Sequence, residues 1–328
     1  PSSRLRNDPE LELYRAAFAA GWGTSELARK VNVRLEDQLE SGEWQVLANR
    51  LYLRVCLQRN EVEPYLEALG RLQKQSQDRL LDHVRSWRLL HANRRQAEAR
   101  ALAEAYAGSP ATGLETVELA QALHAVGLPA RAAKLLDASV LEYSFLDGLW
   151  ILYANLLIET ERWDELRKLA LTIRLRPDVA DRLRAYSYFL EGRVEIAQNR
   201  PGLAAQLFSQ IPACPLDNLE LALNIANGLC QLGQPRTARA LLDSQTVAGQ
   251  RHPAYWESLV TAAFALKDEA LLLHAARQAV SLSPTSWPVH NNYAAALVIT
   301  GHSPGDAIKE TFPLVSQFPQ IGTIRINH

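Results

Sequence analysis

The sequence has no methionine and only three cysteines among its 328 residues. The cysteines, Cys56, Cys214 and Cys230, form no C-x-x-C pair and are odd in number, which disfavours a disulfide framework. They indicate free thiols in a reducing compartment and favour a cytoplasmic location. No apolar run is long enough to span a membrane, and no signal peptide opens the chain.

The missing methionine extends to the first position, so we expect the chain to start inside a longer product. Residues 321–328 look like the beginning of a further helix that stops abruptly. Localisation signals can therefore lie outside this fragment.

An excess of charge is also absent, because the formal net charge is −1. A near-neutral chain gives no electrostatic reason to expect nucleic acid or an anionic membrane as the main partner. The densest basic stretch, residues 162–184, holds seven basic residues against four acids. Its simplest interpretation is a set of solvated helix faces; the alternative is a patch for an acidic partner or RNA.

Motifs of catalysis and ligand binding are missing as well. Gly21 and Gly23 form a G-x-G that lacks the third glycine and follows a helix, whereas a dinucleotide site needs a preceding strand. No phosphate-binding loop, nucleophile elbow or zinc-protease motif occurs. His83 and His91 can share a helix face but lack further ligands at metal spacing. We therefore predict no catalytic, cofactor-binding or metal-binding residue and no enzyme activity.

What the sequence does contain is a pair of amphipathic helices between Pro253 and Pro284. Trp256, Leu259, Val260 and Ala263 follow the 0, 3, 4, 7 spacing of a buried helical stripe. A polar turn at Lys267-Asp268 separates this helix from a second one. The stretch therefore predicts a helical hairpin.

The same stripe recurs along the chain with a regular period. Thr116 to Trp150, Ala222 to Trp256 and Trp256 to His290 are each 34 residues, whereas Trp44 to Trp150 and Trp150 to Trp256 are each 106. Two further units, placed on Leu81 and Tyr188, are ragged. Their best alignments put Arg85, Arg88, Glu191 and Glu195 in places that are normally buried, so we expect a register error of about one residue, with short loop insertions.

A period near 34 with a helix–turn–helix in each unit resembles the tetratricopeptide repeat (TPR) family. With Trp256 at place 4 of the repeat, Leu259, Ala279 and Pro284 match places 7, 27 and 32, while Val260 and Leu272 depart from it. The resemblance implies an all-α, right-handed α-solenoid superhelix whose concave face is lined by the first helices. We expect residues 1–40 to form a helical cap or degenerate repeat, with an N-cap at Ser25. Residues 41–320 would form about eight repeats.

In the TPR family, places 2, 5, 9, 12 and 13 of each first helix line the groove. In this sequence the residues at place 9 are mostly polar, and those at place 12 are mostly apolar. A polar row beside an apolar row suits an extended peptide. Place 5 carries no lysine or arginine in any unit, so the carboxylate clamp of chaperone-binding TPR proteins is absent. The residues expected in the groove are Asn49, Tyr52, Gln121, His124, Asn155, Arg193, Asn227, Thr261 and Phe264.

The leading hypothesis is a non-enzymatic scaffold that binds a protein or peptide partner in this groove, without a cofactor. One alternative is the repeat domain of a larger enzyme, such as a glycosyltransferase or a signalling protein. Another is RNA binding in the manner of pentatricopeptide repeats, against which the neutral charge speaks. An oligomer stays possible. Trp256 is expected to be a buried anchor like Trp44 and Trp150, so that Thr261 and Phe264 carry the binding.

Overall fold

The computed structural model describes residues 9–22, 39–40, 44–302 and 304–317. These residues form eighteen α-helices, one short 3-10 helix and no strand. The predicted all-α class is therefore confirmed. The expected N-cap at Ser25 and the expected helix at 321–328 lie outside the described residues.

The chain divides into two compact units, Pro1–Thr160 and Glu161–His328. The helices of the first unit are α1 (Pro9–Trp22), α2 (Gln45–Arg59), α3 (Val62–Lys74), α4 (Leu80–Ala92), α5 (Gln96–Ala105), α6 (Gly113–Ala125), α7 (Pro129–Ser139) and α8 (Asp147–Glu159). Within this unit α2 packs on α3, α4 on α5 and α6 on α7, while α8 packs on α6 and α7.

The second unit repeats this arrangement. Its helices are α9 (Trp163–Leu175), α10 (Pro177–Ala197), α11 (Pro201–Phe208), α12 (Leu219–Gln231), α13 (Pro235–Ser244), α14 (Thr246–Gly249), α15 (Pro253–Leu266), α16 (Glu269–Leu282), α17 (Trp287–Ile299) and α18 (Pro304–Gln317). Here α10 packs on α11, α12 on α13, α15 on α16 and α17 on α18, and α9 packs on α10.

A left-handed residue follows each first helix and marks the period of the array. These residues, with φ between 55° and 80°, are Asn60, Arg94, Gly127, Glu161, Asn199, Gly233, Lys267 and Gly301. Their successive intervals are 34, 33, 34, 38, 34, 34 and 34 residues. Since a left-handed residue ends a helix and turns the chain back, this spacing shows TPR-like helical hairpins in regular succession.

The turn between α15 and α16 shows how the local sequence makes each hairpin. Lys267 adopts φ 57° and its N–H donates to the carbonyl of Phe264, while the N–H of Asp268 donates to that of Ala263. These two bonds satisfy carbonyls that the end of a helix leaves unpaired. The Asp268 side chain then accepts the N–H of Leu271 at 3.0 Å and caps the next helix. The predicted Lys267-Asp268 turn is therefore present.

Small side chains on the first helices lie in the core. The alanines predicted to permit close helix packing are all at most 1% exposed: Ala48, Ala120, Ala154, Ala226 and Ala294. Because the side chain of alanine is small, neighbouring helices can pack closely at these positions.

The predicted register of the first hairpin is wrong. Trp150 and Trp256 each lie eleven residues before their left-handed residue, but Trp44 lies sixteen before Asn60. The residue eleven before Asn60 is Asn49, which is 1% exposed. Trp44 directly precedes α2 and is only half-buried. The 106-residue spacing from Trp44 to Trp150 was therefore not a multiple of the repeat.

The second hairpin is shifted by two residues from its expected place. His83, not Leu81, lies eleven residues before Arg94, and it is buried. Arg85 and Arg88 are exposed, as a register error required. Leu80, Val84 and Trp87 form part of the buried face of α4, while His91 is exposed.

The hairpin of α10 and α11 is the opposite case. Its alignment on Tyr188 is correct, and the register error that we expected there is absent. Tyr188 lies eleven residues before Asn199, and Glu195 is 6% exposed. Its carboxylate pairs with Arg167 at 2.7 Å and with Arg200 at 2.5 Å. Burial of a charged group is tolerated when it is paired in this way. The four extra residues, in the interval of 38, belong to the long helix α10.

The same helix approaches α11 through a glycine. A Cβ added at Gly192 would lie 2.2 Å from the ring of Phe208, which is itself fully buried. This distance is far below any real carbon–carbon contact, so only glycine fits without movement of the ring.

Trp256 differs from the expectation of a fully buried anchor. Trp150 is 0% exposed, but Trp256 is half-buried, and its indole N–H donates to the carbonyl of Gln250 at 2.9 Å. The neighbouring Tyr255 is 2% exposed and takes the deeper position.

Candidate partner-binding groove

Three successive first helices of the second unit line an open cavity of roughly 610 Å³. We call it the first-helix pocket. Its lining residues are Glu220, Leu223, Asn224, Asn227, Cys230 and Gln231 of α12, Ala254, Glu257, Ser258, Thr261, Phe264 and Ala265 of α15, and Asn292 of α17. The pocket brings together three of the residues expected in the groove, Asn227, Thr261 and Phe264.

The helical repeat explains why these side chains meet. Asn227 and Thr261 both lie six residues before their left-handed turns, and Cys230 and Phe264 lie three before them. Positions three apart lie on one face of a helix, and the opposite face carries the buried Ile225, Leu229 and their counterparts. Adjacent hairpins therefore present equivalent positions side by side.

The amides of the pocket are available to a ligand. The side chains of Asn224, Asn227 and Asn292 make no hydrogen bond to another described residue. The hydroxyl of Ser258 also has no partner there, although this residue is only 4% exposed. Each amide can both donate and accept, and a hydroxyl can do the same. The pocket therefore offers several unused polar groups to a segment with main-chain N–H and C=O groups.

The charged groups that line the pocket are both acidic. Glu220 is exposed and Glu257 is half-buried, and neither forms an ion pair within the described part of the chain. No lysine or arginine is among the lining residues. The pocket is therefore suited to a neutral or positively charged ligand and unsuited to an anion.

The apolar part of the pocket centres on Phe264, which is 60% exposed. Leu223 and Cys230 lie on the facing helix. Burial raises the pKa of the Cys230 thiol above its ordinary value, so the thiol stays neutral near pH 7 and adds to the apolar surface. An exposed aromatic ring beside unsatisfied amides is a common setting for binding a partner side chain.

Two of the expected groove residues occupy core positions instead. The amide nitrogen of Asn49 donates to the carbonyl of Leu39 at 2.8 Å, and its oxygen accepts from Arg71 at 2.9 Å. Tyr52 is 8% exposed. The five-residue register error in the first hairpin moved these residues from the buried face to the predicted groove. The groove assignment of Asn49 and Tyr52 is therefore corrected.

The remaining expected residues are placed as follows. Gln121 and Asn155 are exposed and make no side-chain hydrogen bond to another described residue. His124 is half-buried and pairs with Glu159 at 2.6 Å. Arg193 lies 5.9 Å from the centre of the Phe189 ring, and burial lowers the pKa of its guanidinium. Their role in binding stays a prediction.

The basic stretch at 162–184 is largely neutralised by local acids. Arg162 pairs with Glu165, Arg167 with Glu195, Arg174 with Glu191, Arg176 with Asp178, and Arg184 with Asp181. Such internal pairing leaves little net positive charge for a phosphate backbone.

Within the described residues, no group of three or more His, Cys, Asp or Glu side chains is arranged to hold a metal ion. The Nε2 atom of His83 lies 2.7 Å from a carboxylate oxygen of Asp78, which accepts its hydrogen bond, while His91 is exposed. None of the described helices is long and apolar enough to cross a membrane.

Most of the residues that line the pocket were not among the predicted groove residues, including Glu220, Asn224, Glu257, Ser258 and Asn292. Glu220 occupies the second place of its helix, which the family assigns to the groove, so that signal was present. Asn224, Ser258 and Asn292 each lie nine residues before their left-handed turn, a position outside the places that the family assigns to the groove, so all three were missed together.

Comparisons with known proteins return distant structural similarities. No protein-family model and no curated protein matches the sequence. Yeast Tom70 aligns over 98% of this chain and 82% of its own, with 11% identity and a TM-score of 0.49. A chain of the APC/C hetero-tetramer Cut9–Hcn1 aligns over 98% of this chain and 63% of its own, with 13% identity and a TM-score of 0.41. The present chain thus spans less than two thirds of the Cut9–Hcn1 chain.

A dimer of human IFIT1 with m7Gppp-AAAA aligns over 94% of this chain and 73% of its own, with 14% identity and a TM-score of 0.40. These structures are TPR-type helical-repeat proteins. With 11–14% identity and TM-scores below 0.5, these similarities carry no conclusion about the function of this chain.

Proposed function

We propose that this chain is a non-enzymatic interaction scaffold that binds an extended segment of a protein partner in the first-helix pocket. The observation that supports it is the row of unused polar groups on successive first helices, Asn224, Asn227 and Asn292, beside the exposed ring of Phe264. Repeat scaffolds use this kind of extended surface for partners.

The chemistry of the amides favours a peptide over a compact small molecule. An extended peptide carries alternating N–H and C=O groups, and an amide side chain can bond to either. The equivalent positions of neighbouring hairpins follow a strand-like ligand along its length. Phe264 and Leu223 would contact one apolar side chain of that ligand. A few apolar contacts of this kind supply most of the binding energy of an interface.

RNA is the less suitable ligand. The charged lining residues, Glu220 and Glu257, would repel phosphates, and the arginines at 162–184 are paired internally. A role as the repeat domain of a larger enzyme is compatible with the same pocket, which would then bind the substrate protein or a regulator.

The experiment compares partner capture by three forms of the protein. The Asn227→Ala/Thr261→Ala variant removes two pocket side chains, and Gln206→Ala removes an exposed amide of the second helix α11 as a matched control. Partners are quantified by mass spectrometry after affinity purification, and circular dichroism checks the fold of each variant.

We expect the wild type and the Gln206→Ala control to retain the same partners, and the double variant to lose at least one of them about tenfold, which corresponds to about 1.4 kcal/mol. Identical partner amounts for all three folded forms would exclude the pocket as the binding site.

A further inference from the structure

The charge of the first-helix pocket points to the kind of side chain that its ligand carries. We propose that the pocket selects a partner segment with a lysine or arginine, held between Glu220 of α12 and Glu257 of α15. This inference rests on the proposed function and specifies the partner. The two carboxylates line the same cavity from adjacent first helices and have no counter-ion among the described residues.

Glu257 is the more telling of the two, because it is half-buried. A carboxylate that is partly removed from water without a partner costs free energy, and a cation supplied by a ligand recovers that cost. Two other acids with little exposure form ion pairs: Glu195 with Arg167 and Arg200, and Glu191 with Arg174. Glu257, like the half-buried Glu61, forms no ion pair with another described residue, but Glu257 also lines a cavity.

A second, independent sign of a ligand is the hydroxyl of Ser258, next to Glu257 in the chain. Ser258 is 4% exposed, lines the cavity and makes no hydrogen bond to another described residue. Its oxygen is not one of the fully enclosed atoms that lack a partner, so the little exposure that the residue has lies at the hydroxyl, on the side of the cavity. A ligand N–H or C=O in the pocket would satisfy it.

The rest of the lining suits the same side chain. Lysine and arginine pair a charged end with a long aliphatic stem, which packs on apolar surface. Phe264 offers an exposed ring that can also lie against the cation. Asn227 and Asn292 are left for the main chain of the ligand.

General electrostatic attraction does not account for such a preference. The formal net charge of the chain is −1, too small to draw basic peptides to the protein as a whole. A preference for basic residues would therefore report the local pair of carboxylates.

The test is a selection from a display library of random twelve-residue peptides on the wild-type protein, with a parallel selection on Glu220→Gln/Glu257→Gln. Both glutamines keep the size and the hydrogen-bonding capacity of the side chains. The control is Glu269→Gln, an exposed carboxylate on the second helix α16 that does not line the pocket.

Recovered peptides are then synthesised with their basic residue intact, replaced by glutamine or replaced by glutamate, and their affinities are measured by fluorescence anisotropy. We expect lysine or arginine at one recurrent position, and a loss on the order of five- to tenfold for the glutamine peptide, since two partly exposed ion pairs are removed. The Glu220→Gln/Glu257→Gln variant should abolish that difference, whereas Glu269→Gln should preserve it.

The outcomes separate this inference from the proposed function. Peptides that lose affinity for Asn227→Ala/Thr261→Ala, but show no preference for a basic residue, would overturn the inference and leave the peptide-binding function intact. Recovery of no peptide, or of peptides indifferent to Asn227→Ala/Thr261→Ala, would contradict both. A preference for glutamate would reverse the assigned charge.

Discussion

The ion pairs of the buried carboxylate of Glu195 give the sharpest test of the packing described above. Replacement of Glu195 by alanine leaves Arg167 and Arg200 without their carboxylate partner and opens a small cavity beside α10. Glu195 sits in a face of the first helix that normally holds apolar residues, so its burial depends on the two arginines. We therefore expect Glu195→Ala to destabilise the second unit strongly.

The magnitude follows from the exposure of the three side chains. The side chain of Glu195 is 8% exposed, whereas those of Arg167 and Arg200 are 30% and 44% exposed. Removal of one member of a fully buried pair costs about 3–5 kcal/mol, while an exposed pair contributes about 0–1 kcal/mol. Because water can rehydrate the two arginines, we expect a loss of about 2–3 kcal/mol.

Urea denaturation followed by circular dichroism at 222 nm measures this loss. With slopes of about 2–3 kcal/mol per molar for a unit of this size, the midpoint of the corresponding transition should fall by about 1 M. Glu195→Gln keeps an acceptor for Arg167 and should lose less. The control is Asp243→Ala, which breaks the exposed pair with Arg239 at 2.7 Å and should cost under about 0.5 kcal/mol. Equal effects of Glu195→Ala and Asp243→Ala would refute the reasoning.

Three further predictions concern glycine packing, a buried amide and a buried thiol. Gly192→Ala should lower the free energy of unfolding by about 1–2 kcal/mol because its Cβ meets a buried ring, whereas Gly202→Ala, with no atom within 4 Å, should raise it by about 0.5 kcal/mol; equal urea midpoints would contradict this. Asn49→Ala should cost about 1–3 kcal/mol by stranding its buried partners, while the exposed Asn155→Ala should change stability by less than about 0.5 kcal/mol. Burial raises the pKa of the Cys56 thiol to about 12, so at pH 8 only about one thiol in ten thousand is ionised. Ellman's reagent should therefore label Cys56 only after unfolding, and rapid labelling of the folded protein would show that the thiol is accessible.

The hairpins could be predicted from the sequence because helical periodicity is a local property. The turn at Lys267-Asp268 and the buried alanines follow from the apolar stripes and the residues between them. The repeat period could also be recognised from the fourth residue of a first helix. Trp150 is large enough to stand out, and Ala222 lies one period of 34 residues before Trp256.

The register of the first hairpin could not be read in this way. Trp44 has the size expected of an anchor, and the helix after it is apolar on most sides, so several registers bury similar residues. The choice was made by contacts distant in sequence, such as the bond from Arg71 to Asn49 across 22 residues. A rule that assigns apolar residues to the core cannot predict that Asn49, a polar residue, takes the position held by Trp150 and Trp256 in other hairpins.

The burial of Glu195 was not predicted, for a related reason. A pattern of apolar residues treats a carboxylate on the inner face as an error in alignment. Its partners, Arg167 and Arg200, lie 28 residues before it and 5 after it, and no local signal links all three. Where the register held, the expected residues Asn227, Thr261 and Phe264 line one pocket, and their role in binding stays a prediction. Where it did not hold, Asn49 and Tyr52 lie in the core instead.

The left-handed turns have a consequence for how such a chain can be recognised. Only Gly127, Gly233 and Gly301 among the eight turn residues are glycines, while the other five positions hold asparagine, arginine, glutamate or lysine. These five accept a conformation that costs an ordinary residue about 1 kcal/mol. A comparison of residue identities at the turn would therefore find three repeats, whereas a comparison of backbone angles finds eight. The backbone angles of the turns repeat regularly even where the residues differ, and we expect glycine at any of the five other turns to add stability without changing the repeat.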